Sequence, residues 1–196
     1  FSPTGNLQMG DQTFATATAA PNDNTIVGNP YAAPVDLNLF RLANTGSNVK
    51  ANYYYWDPYL TGSYGLGGYV TVSYDALGTE TITPAAATHT RLLQSGQAMF
   101  LERTVSGTGS ASVTFKENQK GSTDVGGIFL TGGMRPDSFA VNLDVLVGNT
   151  PVMLDGIVAA FDDSYAAAVD DYDASKFFNT GESISFKRNN VYLAIE

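Results

Sequence analysis

Short runs in which apolar and polar residues alternate dominate the chain. In one of them Val113 and Phe115 alternate with Thr114 and Lys116, which is the two-residue period of a strand with one buried face. Runs of this kind, bounded by Gly, Pro, Asn, Asp and Ser, predict strands at "QTFATAT", "NTIVG", "VKANYYYW", "GGYVTVSY", "ETITPA", "RLLQSGQAMFLERTV", "ASVTFKE", "SFAVNLDVLVG", "PVMLDGIVAAF", "SISFKR" and "NVYLAIE". The pattern indicates an all-β protein.

Two segments have helical character instead. In "DLNLFRLANTG" Asp36 is placed as an N-cap, Leu39 and Leu42 follow at helical spacing, and Gly46 is a stop signal. In "DDSYAAAVDDYDASKFF", residues 162–178, the alanines favour a helix and the acidic residues crowd its first turns. We therefore expect an antiparallel β-sandwich of jelly-roll-like character with one or two short helices.

Length and composition bound the domain organisation. With 196 residues and 43% hydrophobic content, the chain is long enough to bury one sizeable core, so we expect residues 1–196 to form a single domain. The segment "TGGMRPDS" at 131–138 is the best candidate for a seam. Because the sequence begins at Phe1 without an initiator Met or a signal peptide, we expect a fragment of a longer multidomain chain.

The charge of the chain restricts its partners. A formal net charge of −9 and a pI near 4.4 argue against nucleic acid, because phosphate binding needs clustered Lys and Arg. No apolar run is long enough for a membrane helix, so we expect no membrane insertion. The absence of cysteine removes disulfides and thiolate metal sites from consideration.

Candidate catalytic residues are few. The single histidine, His89, lies in "AATHTRL", and no Gly-x-Ser-x-Gly motif accompanies it, which favours a solvated or strand-edge histidine. Paired carboxylates could serve a glycoside hydrolase, but Glu102, Glu117 and Glu182 show no distinguishing pattern. We expect a non-catalytic protein, with a glycoside hydrolase as a distant third choice.

An acidic segment offers a weak metal site. In "DDYDASKFFNTGE", Asp171, Asp173, Ser175 and Glu182 occupy positions 1, 3, 5 and 12 of a calcium-loop template. Lys176 stands where the template needs a glycine, so an EF-hand is disfavoured. Helix capping and surface solvation are the first interpretation, and a calcium site of other geometry, with Asp171, Asp173 and Glu182 as ligands, is the second. No other cofactor is expected.

Aromatic residues concentrate in one segment. Seven of the 11 tyrosines and the only tryptophan lie between residues 53 and 74. On a strand, Tyr54 and Trp56 project to the face opposite Tyr53. An exposed strip of Tyr54, Trp56 and Tyr59 would resemble the platforms on which sugar rings stack, whereas a covered strip would belong to the core.

The order of several segments resembles a known kind of module. "TIVGNPYAAPVD", "YYYWDP", "GGYVTVS", "LLQSGQAMFL", "ASVTFKENQK", "LDGIVAAFDDSYAAAVDDYDASKFFNTGESISF" and "VYLAIE" together look like a β-rich module of large secreted and cell-surface proteins of Bacteroidota exported by the type IX secretion system. The resemblance implies an extracellular location and carries no catalytic residue. Similar chains continue past the "LAIE" strand, so one sheet edge is expected to need a further segment or a neighbouring subunit.

These observations converge on an extracellular structural or adhesive module of a bacterial surface protein or filament. Its expected partners are other domains or copies of the surface protein, joined by edge-strand pairing. The alternative is a carbohydrate-binding module that contacts glycans through Tyr54, Trp56 and Tyr59.

Overall fold

A computed structural model describes residues 7–16, 20–58, 60, 67–85, 89–104, 111–121 and 137–196. Within these ranges the backbone consists of short strands, one α-helix and one 3-10 turn, which confirms the all-β class. Contacts divide the chain into two compact units, unit 1 with residues 1–49 and 91–125, and unit 2 with residues 50–90 and 126–196. Most of the expected seam at 131–138 lies outside the described residues.

Unit 1 is built from three antiparallel strand pairs. They are β1 (Gln12–Ala15) with β9 (Ser112–Phe115), β2 (Asn24–Gly28) with β8 (Ala98–Arg103), and β3 (Val35–Asp36) with β7 (Leu92–Leu93). A 3-10 turn, Glu117–Gln119, follows β9. The run at 91–105 predicted one strand, but it forms β7 and β8 because a turn at Gln94–Gln97 separates them, with Gly96 at a φ of 74°.

The helix predicted after Asp36 is present as α1 (Leu37–Ala43). The Asp36 carboxylate accepts hydrogen bonds from the backbone N–H groups of Asn38 and Leu39, at 2.8 and 3.2 Å, so it satisfies two of the free donors of the first turn. The helix ends at Ala43, and its C-cap, Asn44, lies two residues before Gly46. Its buried face presents Leu37 and Phe40.

Aromatic rings fill the core of unit 1. Phe115 is fully buried, and its ring centroid lies 4.7 Å from that of Phe40, 5.8 Å from Phe14 and 6.5 Å from Tyr31. The Tyr31 hydroxyl donates to the Phe115 carbonyl at 2.9 Å. The alternation that placed Phe115 on the buried face of its strand is therefore confirmed.

Unit 2 contains two sheets that pack on each other. The first joins β4 (Val49–Asp57), β5 (Gly68–Tyr74) and β6 (Glu80–Thr83) in antiparallel pairs. The second has the order β10 (Asp137–Val147), β11 (Thr150–Phe161), β14 (Val191–Ile195) and β12 (Ala174–Ser175), with β13 (Phe186–Arg188) also paired to β14. β11 contacts β5 and β6, and β14 contacts β6, which gives unit 2 a two-layer arrangement typical of a β-sandwich.

One strand pair departs from the antiparallel expectation. β11 and β14 pair in parallel at Val158 and Ile195, because 29 residues of turns and short strands, between Phe161 and Val191 in chain order, return the chain to the same end of the sheet. β14 has neighbours on both of its sides. The C-terminal strand β14 is therefore not an edge of this sheet.

The second predicted helix, at 162–178, is absent. The segment consists of turns and the two-residue strand β12. Asp162 accepts a hydrogen bond from the Ser164 N–H at 2.9 Å, Asp170 from the Tyr172 N–H at 2.8 Å, and Asp173 from the Asp170 N–H at 2.7 Å. These side chains replace helical hydrogen bonds with local turns, which outweighs the helix preference of three alanines.

Candidate functional site

The longest unpartnered strand edge in the described part of the chain belongs to β10. This strand of 11 residues lies at the end of its sheet, and among the described strands it pairs only with β11. Nine of its residues are exposed and two are partly exposed, although most of them are apolar. An exposed, apolar edge of this length offers a row of backbone hydrogen-bonding groups to another chain.

The register of β10 keeps this edge regular. Leu143 pairs with Asp155 and Asp144 pairs with Met153, so the extra residue of the bulge, Leu154, lies on β11. Bulges that protect edges commonly interrupt the edge strand itself. Here the interruption lies in the neighbouring strand, and β10 stays continuous from Asp137 to Val147.

A groove of about 700 Å³ lies in unit 2 beside the start of β10. Its aromatic lining comes from β10, β11, β13 and the segment after β11, and consists of Phe139, Phe161, Tyr165, Tyr172 and Phe186. The Phe139 and Phe161 rings stack at 6.3 Å with 14° between their planes, and the Phe186 ring meets Phe139 edge-on at 6.0 Å. Because aspartate residues also line it, we call it the acidic groove.

Within the described ranges, seven carboxylates and one guanidinium line the acidic groove. The guanidinium, on Arg188, is already engaged, because Nε donates to Glu196 Oε1 at 2.8 Å and Nη1 donates to the Ala167 carbonyl at 2.7 Å. The remaining carboxylates belong to Asp75, Asp137, Asp162, Asp163, Asp170 and Asp173. The groove therefore has a strongly negative potential.

Hydrogen bonds fix one wall of the groove. The Tyr165 hydroxyl donates to Asp75 Oδ2 at 2.6 Å, which ties the turn after β5 to the segment after β11. Burial and the neighbouring Asp75 carboxylate raise the pKa of Tyr165 above its usual value of 10.0, so this hydroxyl stays a donor at physiological pH.

Asp173 links the groove to pH. Burial raises its pKa above the usual value of 3.8, and the carboxylates of Asp170 and Glu196 add to the shift. A carboxyl with a raised folded-state pKa binds more protons in the folded state, so it stabilises the fold at acidic pH and loses that contribution as pH rises through the folded-state pKa.

We therefore expect Asp173→Asn to increase the free energy of unfolding at neutral pH and to remove the loss of stability that Asp173 contributes as pH rises from 3.8 through its folded-state pKa. Urea unfolding at a series of pH values measures this, with exposed Asp11→Asn as the control. Parallel pH profiles for the wild type and Asp173→Asn would contradict it.

A buried ion pair lies between the acidic segment and β11. Lys176 Nζ is 2.5 Å from Asp155 Oδ1, and the two side chains are 4% and 0% exposed. Asp155 also accepts the backbone N–H groups of Gly156, at 2.8 Å, and Ile184, at 2.9 Å. Burial lowers the pKa of Lys176, while Asp155 opposes that shift. The pair joins the middle of β11 to the segment after β12.

His89 is buried rather than solvated or at a strand edge. Its Nδ1 is 2.6 Å from the Pro84 carbonyl oxygen and its Nε2 is 2.9 Å from Asp57 Oδ2. Both partners are acceptors, so both hydrogen bonds form together only when both ring nitrogens carry a proton. In the described ranges, the hydrogen-bond partners of the two ring nitrogens are a backbone carbonyl and a carboxylate.

The predicted aromatic strip is not assembled as an exposed platform. Tyr54 is fully buried, with its ring centroid 4.3 Å from that of Phe177, so it cannot stack on a ligand. Trp56 is partly exposed and packs edge-on against Tyr69 at 4.8 Å. Tyr59 lies outside the described residues. Tyr54 is therefore a core residue, which was the second of the two interpretations of this strip.

The weak calcium ligands are not gathered into one cluster. No group of three or more His, Cys, Asp or Glu residues with metal-binding geometry exists in the described ranges, which include Asp171, Asp173 and Glu182. Lys176, which stands where the calcium-loop template needs a glycine, forms an ion pair with Asp155 instead. The calcium-loop spacing in the sequence therefore has no matching geometry here.

Sequence reasoning missed both the β10 edge and the groove. "SFAVNLDVLVG" predicted a strand, but nothing in its alternation distinguishes a buried strand from an exposed edge. The residues that line the groove come from positions 73 to 196. Patterns in one sequence do not show that such distant residues lie next to each other in the fold. The one available signal was the excess of aspartate from Asp155 to Asp173.

Comparison with known proteins found no matching family model, curated protein or solved structure. In the described ranges, the helix found is too short to cross a membrane.

Proposed function

We propose that this chain is a non-catalytic structural or adhesive module of a bacterial surface protein or filament, and that copies of it assemble by pairing along β10. The supporting observation is the exposure of an 11-residue apolar edge strand. An extracellular location, with export by the type IX system, is part of this proposal and rests on the resemblance of the segment order.

The sequence of β10 is compatible with pairing to a second copy of itself. An antiparallel pair centred on Asn142 would place Phe139 opposite Val145, and Val141 opposite Leu143. It would also place Asp144 opposite Ala140 and Asp137 opposite Val147, so that no carboxylate faces another directly. Aromatic and β-branched cross-strand pairs stabilise such a ladder, and like charges opposite one another would destabilise it.

The net charge of the chain opposes this assembly, so the strength of association should depend on salt concentration. Two copies, each with a formal charge of −9, repel at long range, and salt screens that repulsion. We expect association to become tighter as ionic strength rises.

Sedimentation velocity of the wild type over a range of concentrations tests the proposal. The variant Val141→Lys/Leu146→Lys places two ammonium groups on β10 and is expected to weaken association by at least about tenfold, because an edge lysine opposes strand addition. The matched control, Leu42→Lys/Leu77→Lys, changes exposed residues of α1 and of the turn after β5.

Both double variants reduce the net negative charge by the same amount, which by itself favours association. Loss of assembly only in the β10 variant therefore supports pairing at this edge. A wild type that stays monomeric at every concentration and salt, or equal weakening by the two double variants, would rule the proposal out.

A further inference from the structure

The acidic groove has the size of a ligand site. Its volume of about 700 Å³ falls within the roughly 300–1,000 Å³ of pockets that hold small molecules or peptide side chains. Its floor includes buried Ala159 and Ile195. Phe139, Phe161 and Tyr172 are 47%, 57% and 49% exposed, which leaves apolar ring surface without a partner.

The charges of the groove select the sign of the ligand. Among the described residues of the lining, seven carboxylates face one guanidinium, and that guanidinium is bound to Glu196 and to a backbone carbonyl. An anionic ligand would meet like charge there, and the described lining offers it no cation beyond the engaged Arg188. A cationic ligand would gain Coulomb attraction, and burial in the groove would strengthen it.

The spacing of the charges selects an extended cation over a metal ion. Calcium needs several oxygen ligands within about 2.6 Å of one point, whereas the described residues form no cluster of three or more metal-binding groups. The carboxylates lie on the turn after β5, at the start of β10, directly after β11, on both sides of Tyr172 and directly after β14. Several separate positive charges on one chain fit that distribution.

The aromatic rings favour the same class of ligand. A guanidinium or ammonium group is attracted to the face of an aromatic ring. Arginine can lie flat on Phe161 or Tyr172 while its N–H groups reach a carboxylate. Two carboxylates suited to this, Asp137 and Asp163, are exposed and have no hydrogen bond within the described part of the chain.

We infer that the acidic groove binds an extended, arginine- or lysine-rich peptide segment of a partner protein. Sugars are less suited, because they bring no charge to match the carboxylates. A second copy of this chain is less suited as the occupant because its net charge has the same sign. The inference deepens the proposed adhesive function by naming a partner class, but it does not require pairing along β10.

Fluorescence anisotropy with a labelled hexa-arginine peptide tests the inference, with labelled hexaglutamate as the charge control. We expect saturable binding of hexa-arginine that weakens with sodium chloride, the opposite of the salt effect on β10 pairing. Asp137→Asn/Asp163→Asn is expected to weaken binding by about fivefold to tenfold, from two partly exposed ion pairs. Phe161→Ala is expected to weaken it by about threefold.

A matched variant separates the groove from the general acidity of the chain. Asp11→Asn/Asp23→Asn removes the same charge from exposed residues of unit 1, and its affinity should equal that of the wild type. Absence of binding, equal losses in the two Asp→Asn double variants, an unchanged affinity in Phe161→Ala, or stronger displacement by calcium chloride than by sodium chloride of equal ionic strength would each overturn the inference.

The two proposals fail separately. Val141→Lys/Leu146→Lys alters no residue that lines the groove, so it should bind hexa-arginine even where it no longer assembles. Retained peptide binding in this variant supports a groove that acts independently of the edge, and its loss contradicts that independence.

Discussion

Lys176→Met is expected to lower the free energy of unfolding by about 3–5 kcal/mol, because it leaves the Asp155 carboxylate buried without its counter-ion. Asp155 is fully buried, and the backbone N–H groups of Gly156 and Ile184 are its other partners. Two neutral donors do not replace an ammonium group at 2.5 Å. Urea unfolding followed by the fluorescence of Trp56, the only tryptophan, measures the change within unit 2.

Two further variants define the origin of that loss. Lys176→Met/Asp155→Asn removes both charges and keeps an oxygen acceptor for the two backbone donors, so it should be more stable than Lys176→Met alone. Lys187→Met removes an exposed lysine whose Nζ lies 5.4 Å from the Tyr192 ring centroid, and should cost less than about 1 kcal/mol. A Lys176→Met variant as stable as Lys187→Met would contradict the buried ion pair.

Phe115→Ala is expected to destabilise unit 1 by about 3–5 kcal/mol, the usual cost of truncating a buried aromatic side chain. The Phe115 ring is fully buried and contacts the rings of Phe14, Tyr31 and Phe40. Alanine would remove these contacts and leave a cavity between α1 and the β1–β9 pair. Thermal unfolding by circular dichroism measures the effect.

Phe14→Ala is the matched control for this cavity. Phe14 lies on the partner strand, 5.8 Å from Phe115 by ring centroid, but its side chain is 36% exposed. Because less apolar area leaves water at this position, truncation should cost about 1–2 kcal/mol. Equal destabilisation by the two variants would mean that Phe115 is not the centre of this core.

Strand positions were largely predictable because runs rich in β-branched and aromatic residues, bounded by Gly, Pro, Asn, Asp and Ser, mark most of the described strands. "NTIVG" coincides with β2, and "VKANYYYW" and "SFAVNLDVLVG" match β4 and β10 to within one residue at each end. Asp36 was recognisable as an N-cap because the capping side chain, the helical spacing and the stop signal agree over a few residues. Local agreement of this kind does not need tertiary information.

The failures occurred where local preference competes with side-chain hydrogen bonds or with distant contacts. The run at 162–178 has helix-forming alanines, but Asp162, Asp170 and Asp173 bond neighbouring backbone N–H groups and form turns. β12 has only two residues, too few for a periodic signal, and its pairing with β14 bridges distant positions. The ion pair of Lys176 with Asp155 also joins positions that are distant in the sequence, so local patterns did not predict it.

The prediction that Tyr54 belongs to an exposed aromatic strip was wrong for a related reason. Tyr54 and Trp56 were correctly placed on one strand, β4, but the covering residue, Phe177, lies more than 100 positions away in sequence. Binding of glycans stays a prediction without Tyr54. The fold exposes the β10 edge and the acidic groove. Both depend on which distant segments lie next to each other, and a periodic pattern in the sequence does not give that information.

The most direct test of assembly along β10 is disulfide cross-linking of Asn142→Cys, in a chain that has no other cysteine. In an antiparallel pair centred on this residue, the two Asn142 positions face each other at the short Cα separation that a disulfide requires. The account predicts a covalent dimer on mild oxidation of Asn142→Cys and none from exposed Leu77→Cys. Absence of the Asn142→Cys dimer, or equal yields from the two variants, would contradict it.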